Sequence, residues 1–145
     1  MTDARAIDTL LAKYSESHMD PTNELIHCVC VPLIVFSLLG LVWAIHPLLA
    51  VAVTVASMVY YFKLSRNFAL GMLVMAGLML AVLSALPPGA VMPLSVTIFV
   101  LAWIGQFIGH KIEGKKPSFF DDLRFLLIGP LFVLGVLYRR WNLAY

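Results

Sequence analysis

The chain has 145 residues, of which 61% are hydrophobic and only 12% are charged, and its formal net charge is +2. Soluble domains carry about 25% charged residues, and a soluble fold of this length has too little interior to bury so much apolar surface. The composition therefore predicts a single integral membrane domain. The small and scattered positive charge argues against a nucleic-acid-binding protein.

The first twenty residues predict an amphipathic helix that lies on the membrane surface. Apolar side chains recur at helical spacing in this segment, at Ile7, Leu10, Leu11 and Tyr14. Its acidic residues and the lack of a continuous apolar run argue against a secretory signal or a transit peptide. A helix break is expected at Asp20 and Pro21, because aspartate is a good N-cap and proline suits the first helical position.

Four apolar runs are predicted to cross the bilayer, since a crossing takes about 20 mainly apolar residues. These runs cover residues 28–45, 48–62, 68–86 and 90–110. The sequence shows neither the alternating pattern of strands nor a tandem repeat. We therefore predict an all-α fold, an integral membrane helical bundle with four to five transmembrane helices and an N-terminal amphipathic helix.

The single membrane-embedded domain, residues 1–145, divides into four predicted parts. They are an interfacial helix at 1–20, a four-helix core at 21–110, a cytoplasmic loop at 111–122 and an apolar helix at 123–138. The last of these runs is short and contains Gly129 and Pro130. It is therefore predicted to be kinked, and a segment that does not cross the membrane is favoured over a fifth span.

Charge placement predicts the orientation of the bundle. Lysine and arginine concentrate in cytoplasmic loops, and the turns at residues 46–47 and 87–89 have neither. A four-crossing chain with its N-terminus inside puts all ten basic residues on the cytoplasmic side. His46 lies at an opposite turn and is predicted to be an ordinary interface residue. The expected membrane is the inner membrane if the source is bacterial and the endoplasmic reticulum if it is eukaryotic.

Polar residues interrupt the apolar sequence at two distant places on that cytoplasmic side. They are His18, Asn23 and His27 near the helix break, and Gln106, His110 and Glu113 at the end of the fourth run. The second set falls within roughly a third of the circumference of one helix. The two histidines of the first set are nine residues apart, so they face one ligand only if the chain breaks between them. Polar groups are costly at membrane depth and tend to mark function.

The residue types in this cluster indicate a metal site. Neutral imidazole is the commonest metal ligand, and two or three histidines with a carboxylate and open positions suit non-haem iron(II). Zinc fits a similar set. A structural alternative is that the histidines end in headgroups and Gln106 bonds a neighbouring helix. Cys28 and Cys30 point about 200° apart on a helix, which argues against a disulfide or a shared metal between them.

The same residues resemble those of a known family. The pattern His-x4-Asn-x3-His-x4-Pro, then Gln-x3-His-x2-Glu-x3-Pro, then Gly-Pro is similar to that of small polytopic membrane proteins that act as iron(II)-dependent 2-hydroxy fatty acid dioxygenases. The matching positions are His18, Asn23, His27, Pro32, Gln106, His110, Glu113, Pro117, Gly129 and Pro130. Between the two ends, the chain matches in length and hydrophobicity.

The resemblance implies fatty acid α-oxidation, in which molecular oxygen converts a long-chain 2-hydroxy fatty acid to the acid one carbon shorter. It implies an iron(II) cofactor held by His18, His27 and His110. Glu113 is the expected catalytic residue, as a general base or a fourth ligand. The remaining candidates orient the imidazoles or bind substrate: Asn23, Gln106, Tyr14 and Lys115, with Lys116 and Arg124 as further attractors of the carboxylate.

Two other functions are compatible with the sequence. A zinc-dependent membrane hydrolase of lipid amides or esters would bind zinc and work without oxygen. A non-enzymatic lipid-binding membrane protein would bind no stoichiometric metal, and its histidines would be structural. Glycines in the helices permit close contacts within or between subunits, so an oligomer is also compatible with the sequence.

Overall fold

The structure is a computed structural model that describes residues 5–115, 120–121 and 125–145, and this part of the chain is helical. Its helices are α1 (Ala6–Ser15), α2 (Pro21–Ile45), α3 (Pro47–Leu64), α4 (Arg66–Ala85), α5 (Pro88–Glu113) and α6 (Gly129–Arg140). The helices α2 to α5 are long and apolar enough to cross a membrane. The predicted all-α membrane bundle is confirmed. Lys116, Pro117, Arg124 and part of the predicted loop at 111–122 lie outside the described residues.

Side-chain and backbone caps define the helix ends that matter for the site. Asp20 Oδ1 accepts hydrogen bonds from the backbone N–H groups of Thr22 and Asn23 at 2.8 and 3.2 Å, so α2 begins where the sequence predicted a break. At the other end of α2, His46 Nδ1 accepts from the N–H of Leu48 at 3.2 Å and caps α3. Gly114 has a φ of 74° and ends α5 in the left-handed conformation that glycine adopts most easily.

The helices α2 and α5 lie close together because glycines of α5 face side chains of α2 at their contact. A Cβ added at Gly105 would lie 2.6 Å from Cys30 Sγ, and one added at Gly109 would overlap Asn23 Oδ1. Glycines that admit a neighbouring side chain in this way are typical of membrane helix interfaces. The contact brings the first turns of α2 beside the last turns of α5.

The first helix packs against the last one. Ile7, Leu11 and Tyr14 on one face of α1 are buried in a cluster that includes Leu131 and Phe132 of α6. The helix α6 has 12 residues, so it is about 18 Å long and shorter than the roughly 30 Å hydrocarbon core. Its length favours a segment that stays at one side of the membrane.

The C-terminal residues lie at the same end of the bundle as the segment before α1. Arg5 Nη1 donates to the carbonyl of Tyr145 at 2.7 Å, and Asn67 Nδ2, at the start of α4, donates to the carbonyl of Ala144 at 3.0 Å. Tyr138 of α6 donates its hydroxyl to the carbonyl of Asn67 at 2.9 Å. These contacts fix α6 to the end where α4 begins.

We expect a cysteine added after Tyr145 to react with a membrane-impermeant thiol reagent only from the side that exposes the start of α4. The control is Gly89→Cys in the first turn of α5, where an added side chain meets open space, and it should react only from the opposite side. The parent chain, with Cys28 and Cys30, gives the background. Labelling of both positions from one side would contradict this arrangement.

Candidate metal centre

Three histidines from distant parts of the sequence meet at one end of the bundle. His18 lies between α1 and α2, His27 in the second turn of α2 and His110 in the last turn of α5. Each is at most 5% exposed. One ligand atom from each lies within 4.8 Å of the other two, so the three rings are close enough together that they could hold one metal ion. Among the described residues, the group with metal-binding geometry is this triad of histidines.

Backbone carbonyls select the neutral tautomer of two of these imidazoles. His18 Nδ1 lies 2.7 Å from the carbonyl oxygen of Tyr14, and His27 Nδ1 lies 2.9 Å from that of Asn23. A carbonyl only accepts, so Nδ1 carries a proton in both rings, and in the neutral imidazole the lone pair is then on Nε2. Metal-binding histidines are usually oriented by such a bond from the second nitrogen.

Aromatic side chains form one wall of the triad. The Tyr14 ring stacks on His18 with a centroid distance of 4.3 Å and an interplanar angle of 6°. Phe132 of α6 lies 5.4 Å from His18 and 5.0 Å from Tyr14, measured between ring centroids. The structure thus places Tyr14, one of the residues singled out in the sequence, against His18 of the triad. Phe132 was missed, because nothing in its sequence context distinguishes it from other apolar residues of the last run.

The carboxylate of Glu113 holds the chain that carries His18. Its Oε1 accepts from the N–H of Met19 at 2.9 Å, and its Oε2 accepts from the N–H of Asp20 at 2.9 Å and from Asn23 Nδ2 at 3.0 Å. Both oxygens are therefore engaged with the segment between α1 and α2. Glu113 fastens the end of α5 to the start of α2.

Asn23 links the carboxylate of Glu113 to the histidine triad. Its side chain is fully buried, and Nδ2 donates both to Glu113 and, at 3.2 Å, to the carbonyl of Ser17. Its own carbonyl accepts from His27. One residue therefore joins the loop before α2, the end of α5 and a histidine of the triad.

We expect Gly109→Ala to destabilise the protein by about 1–3 kcal/mol, the usual cost of overpacking a tight interface. The new Cβ would overlap Asn23 Oδ1, so α2 and α5 would have to separate and the triad would widen. The control is Gly77→Ala in α4, where a Cβ meets nothing within 4 Å. That change should stabilise the helix by about 0.5–1 kcal/mol. Thermal unfolding in detergent measures both, and equal effects of the two changes would contradict the account.

Gln106 lies one turn before His110 and lines a small cavity next to the triad. The side chain is 3% exposed, and its Oε1 is buried without a hydrogen-bond partner among the described residues. The cavity has a volume of about 20 Å³, and Tyr14 and Trp103 also line it. A volume of this size is enough for one water molecule. The amide of Gln106 is thus available to a small polar ligand near the histidines.

Lys115 lies apart from this buried group. The residue is exposed just beyond α5, and its backbone N–H donates to the carbonyl of His110 at 3.1 Å. The structure therefore gathers Tyr14, Asn23, Gln106 and Glu113 around the triad but leaves Lys115 at the surface.

Comparison with known proteins identifies the family. Residues 4–141 match the family model described as "2-hydroxy-palmitic acid dioxygenase Mpo1-like". The chain belongs to this family. Its matched stretch contains the three histidines and the residues gathered around them, and the resemblance noted from the sequence is confirmed.

One curated relative is the 2-hydroxy-palmitic acid dioxygenase MPO1 of Saccharomyces cerevisiae. It is 27% identical over 130 residues, which cover 86% of this chain and 75% of the relative. No solved structure matches the chain.

The donor set fits a divalent transition-metal ion. Three neutral imidazole nitrogens bind iron(II), zinc, copper or nickel well, and a set of three leaves coordination positions open for other ligands. All three rings are buried, and His18 and His27 are also hydrogen-bonded to backbone carbonyls. The donor nitrogens are therefore held in position before a metal ion binds. Glu113 is not part of the metal-binding group among the described residues.

Proposed function

We propose that this protein is an iron(II)-dependent dioxygenase that cleaves long-chain 2-hydroxy fatty acids to the acid one carbon shorter. The observation that carries the proposal is the buried triad of His18, His27 and His110 in a membrane protein of this dioxygenase family. The family description and the name of the yeast relative supply the substrate class.

The reaction balances with oxygen alone. The substrate R–CH(OH)–COOH and O₂ give R–COOH, CO₂ and H₂O, with cleavage of the bond between C1 and C2. C2 is oxidised from an alcohol to a carboxyl carbon and C1 to carbon dioxide, and together they supply the four electrons that O₂ accepts. Turnover therefore requires neither an external reductant nor a second organic acid.

In this proposal the three histidines would hold the ion, and the bonds from Nδ1 of His18 and His27 to the carbonyls of Tyr14 and Asn23 leave Nε2 of each neutral ring as the donor nitrogen. The ion, when bound, supplies oxygen activation and a positive charge for the carboxylate and 2-hydroxyl of the substrate. Gln106 orients a polar group of the substrate or a water molecule from its cavity. These roles follow from burial and hydrogen bonding of the residues named.

We assign Glu113 a positioning role rather than the catalytic one expected from the resemblance. Its two oxygens already accept three hydrogen bonds from Met19, Asp20 and Asn23. A base must be free to take a proton, and a ligand must turn an oxygen to the ion. Lys115, which is exposed, attracts the substrate carboxylate only from a distance, where solvent screens the charge.

The position of the triad suits an amphiphilic substrate. It lies where α5 ends and α2 begins, close to the end of the apolar spans. A fatty acid keeps its carboxylate at headgroup level and its tail in the hydrocarbon, so C1 and C2 arrive at this depth. Lys63, Arg66 and Lys111 lie at the same end of the bundle, which favours a cytoplasmic site.

The test is metal and oxygen dependence. Protein treated with a chelator would be reloaded with iron(II) or with zinc, and oxygen uptake would be followed with 2-hydroxypalmitate and no other organic acid. We expect uptake only with iron, one O₂ for each molecule of shortened acid. Product formation with zinc or without oxygen would overturn the proposal and favour a hydrolase.

A further inference from the structure

A second and larger cavity lies between α2, α3, α4 and the segment that leads into α6. Its volume is about 350 Å³, within the range of roughly 300–1,000 Å³ that small-molecule sites occupy. Aliphatic and methionine side chains make up most of its lining, among them Val35, Val42, Met58 and Met72. We call it the acyl pocket for the role argued below.

The few hydroxyl groups in this lining are already engaged with the backbone. Thr54 donates to the carbonyl of Ala50 at 2.8 Å, and Ser57 donates to that of Val53 at 2.9 Å. Tyr61 donates to the carbonyl of Leu127 at 2.9 Å. The pocket therefore offers a ligand little hydrogen bonding, and burying a polar ligand there would be costly. Its chemistry selects an apolar chain.

The acyl pocket adjoins the small cavity that lies next to the triad. Leu126 lines both this pocket and the small cavity of Gln106 and Tyr14. Along α2, His27 belongs to the triad, Val31 to the small cavity, and Val35 and Val42 to the acyl pocket. From His27 to Val42 the helix rises about 22 Å. One leaflet of a bilayer core, which holds an extended lipid tail, is roughly 15 Å thick. The distance along α2 is therefore long enough for an acyl chain of similar length.

We propose that the acyl pocket holds the tail of the fatty acid whose carboxyl end lies at the triad, and that residues at its far end set the preferred chain length. The proposal rests on the proposed function for the identity of the polar end. The tail is then bound inside the bundle, and the helices select its length instead of leaving it in the bilayer.

Residues of α3 line the acyl pocket at different distances from the triad. The helix begins at the turn opposite the triad and runs back toward it. Val53 lies near the far end, and Ser57 lies one turn nearer the triad. Four residues of helix separate these positions by about 6 Å. Val53→Phe should shift the preference to shorter acids, and Ser57→Phe should shift it further, by several carbons. Val59→Phe is the matched control, because Val59 is about as exposed as Val53, at 53% against 46%, but is not part of the lining.

The decisive experiment needs neither iron nor turnover. Full-length protein in phosphatidylcholine nanodiscs would be irradiated with a trace of palmitic acid carrying a diazirine at its methyl end, and labelled peptides would be mapped by mass spectrometry. We expect label near Val42 and Val53, displaced by 2-hydroxypalmitate, reduced at least fivefold by Val53→Phe and unchanged by Val59→Phe. Label spread over lipid-facing positions, or equal loss in both variants, would overturn the proposal.

The two proposals fail separately under this design. Specific label without any oxygen-dependent product would preserve the acyl pocket and remove the dioxygenase assignment. Product without specific label, and with the same chain-length preference in Val53→Phe, Ser57→Phe and Val59→Phe, would preserve the reaction and remove the acyl pocket.

Discussion

Replacing His27 by alanine should abolish both metal binding and turnover. His27 is 1% exposed, and its ring lies 4.1 Å from that of His18 and 5.0 Å from that of His110, measured between centroids. Without it, two imidazoles remain, and an ion loses a third of its protein donors. Removing only the hydrogen-bond partner of a ligand costs roughly 10- to 100-fold in affinity or activity, and we expect the loss of the ligand to exceed that range.

His46→Ala is the matched control for this variant. His46 is the fourth histidine, and it caps α3 at the opposite end of the bundle. Its replacement should cost about 1 kcal/mol of stability, the typical cost of a lost cap, and leave bound iron and activity unchanged. Iron per chain, measured by plasma mass spectrometry after gel filtration, separates the two variants. Equal iron in His27→Ala and His46→Ala would contradict the triad as the metal centre.

Replacing Glu113 by alanine should loosen the segment that carries His18. The variant loses three hydrogen bonds to a carboxylate, from Met19, Asp20 and Asn23. Hydrogen bonds to charged groups contribute about 1.5–3 kcal/mol each, so we expect destabilisation by at least the value of one such bond. Iron affinity should fall by roughly 10- to 100-fold, since His18 is no longer held in place.

A double-mutant cycle with Asn23→Ala measures the coupling directly. The Asn23 amide donates to Glu113 at 3.0 Å, and contacting pairs of this kind show coupling energies of about 0.5–3 kcal/mol. Glu16→Ala, at an exposed acid near the same end, should change stability by less than about 0.5 kcal/mol. Unchanged stability and iron content with lost turnover would instead assign Glu113 the catalytic role that the resemblance implies.

The fold class follows from local properties of the sequence. The four spanning helices were predicted from run length and hydropathy, and the start of α2 was predicted from Asp20 and Pro21. The structure extends α2 and α5 beyond their apolar runs, to Pro21–Ile45 and Pro88–Glu113. Both helices continue into the polar residues, because their limits are set by caps and not by hydropathy. Asp20 caps the start of α2, and Gly114 caps the end of α5.

The arrangement of the site required tertiary structure. The sequence predicted that His18, His27 and His110 lie at one membrane face, but it contained no sign that Glu113 accepts from backbone N–H groups 93 and 94 residues away. The stacking of Tyr14 on His18 and the contact of Phe132 depend on how α1 and α6 pack together. The acyl pocket is a space between helices, and the exposed and lining residues of α3 look alike in an apolar run.

The most direct test of the central claim is product analysis of wild-type protein and His110→Ala by mass spectrometry. Each protein would receive iron(II), oxygen and 2-hydroxypalmitate, with an anaerobic control, and folding of the variant would be checked by circular dichroism. We predict pentadecanoic acid from the wild type in oxygen only, and none above background from the folded variant. Equal amounts of that acid from both proteins would contradict the assignment of the triad as the catalytic metal centre.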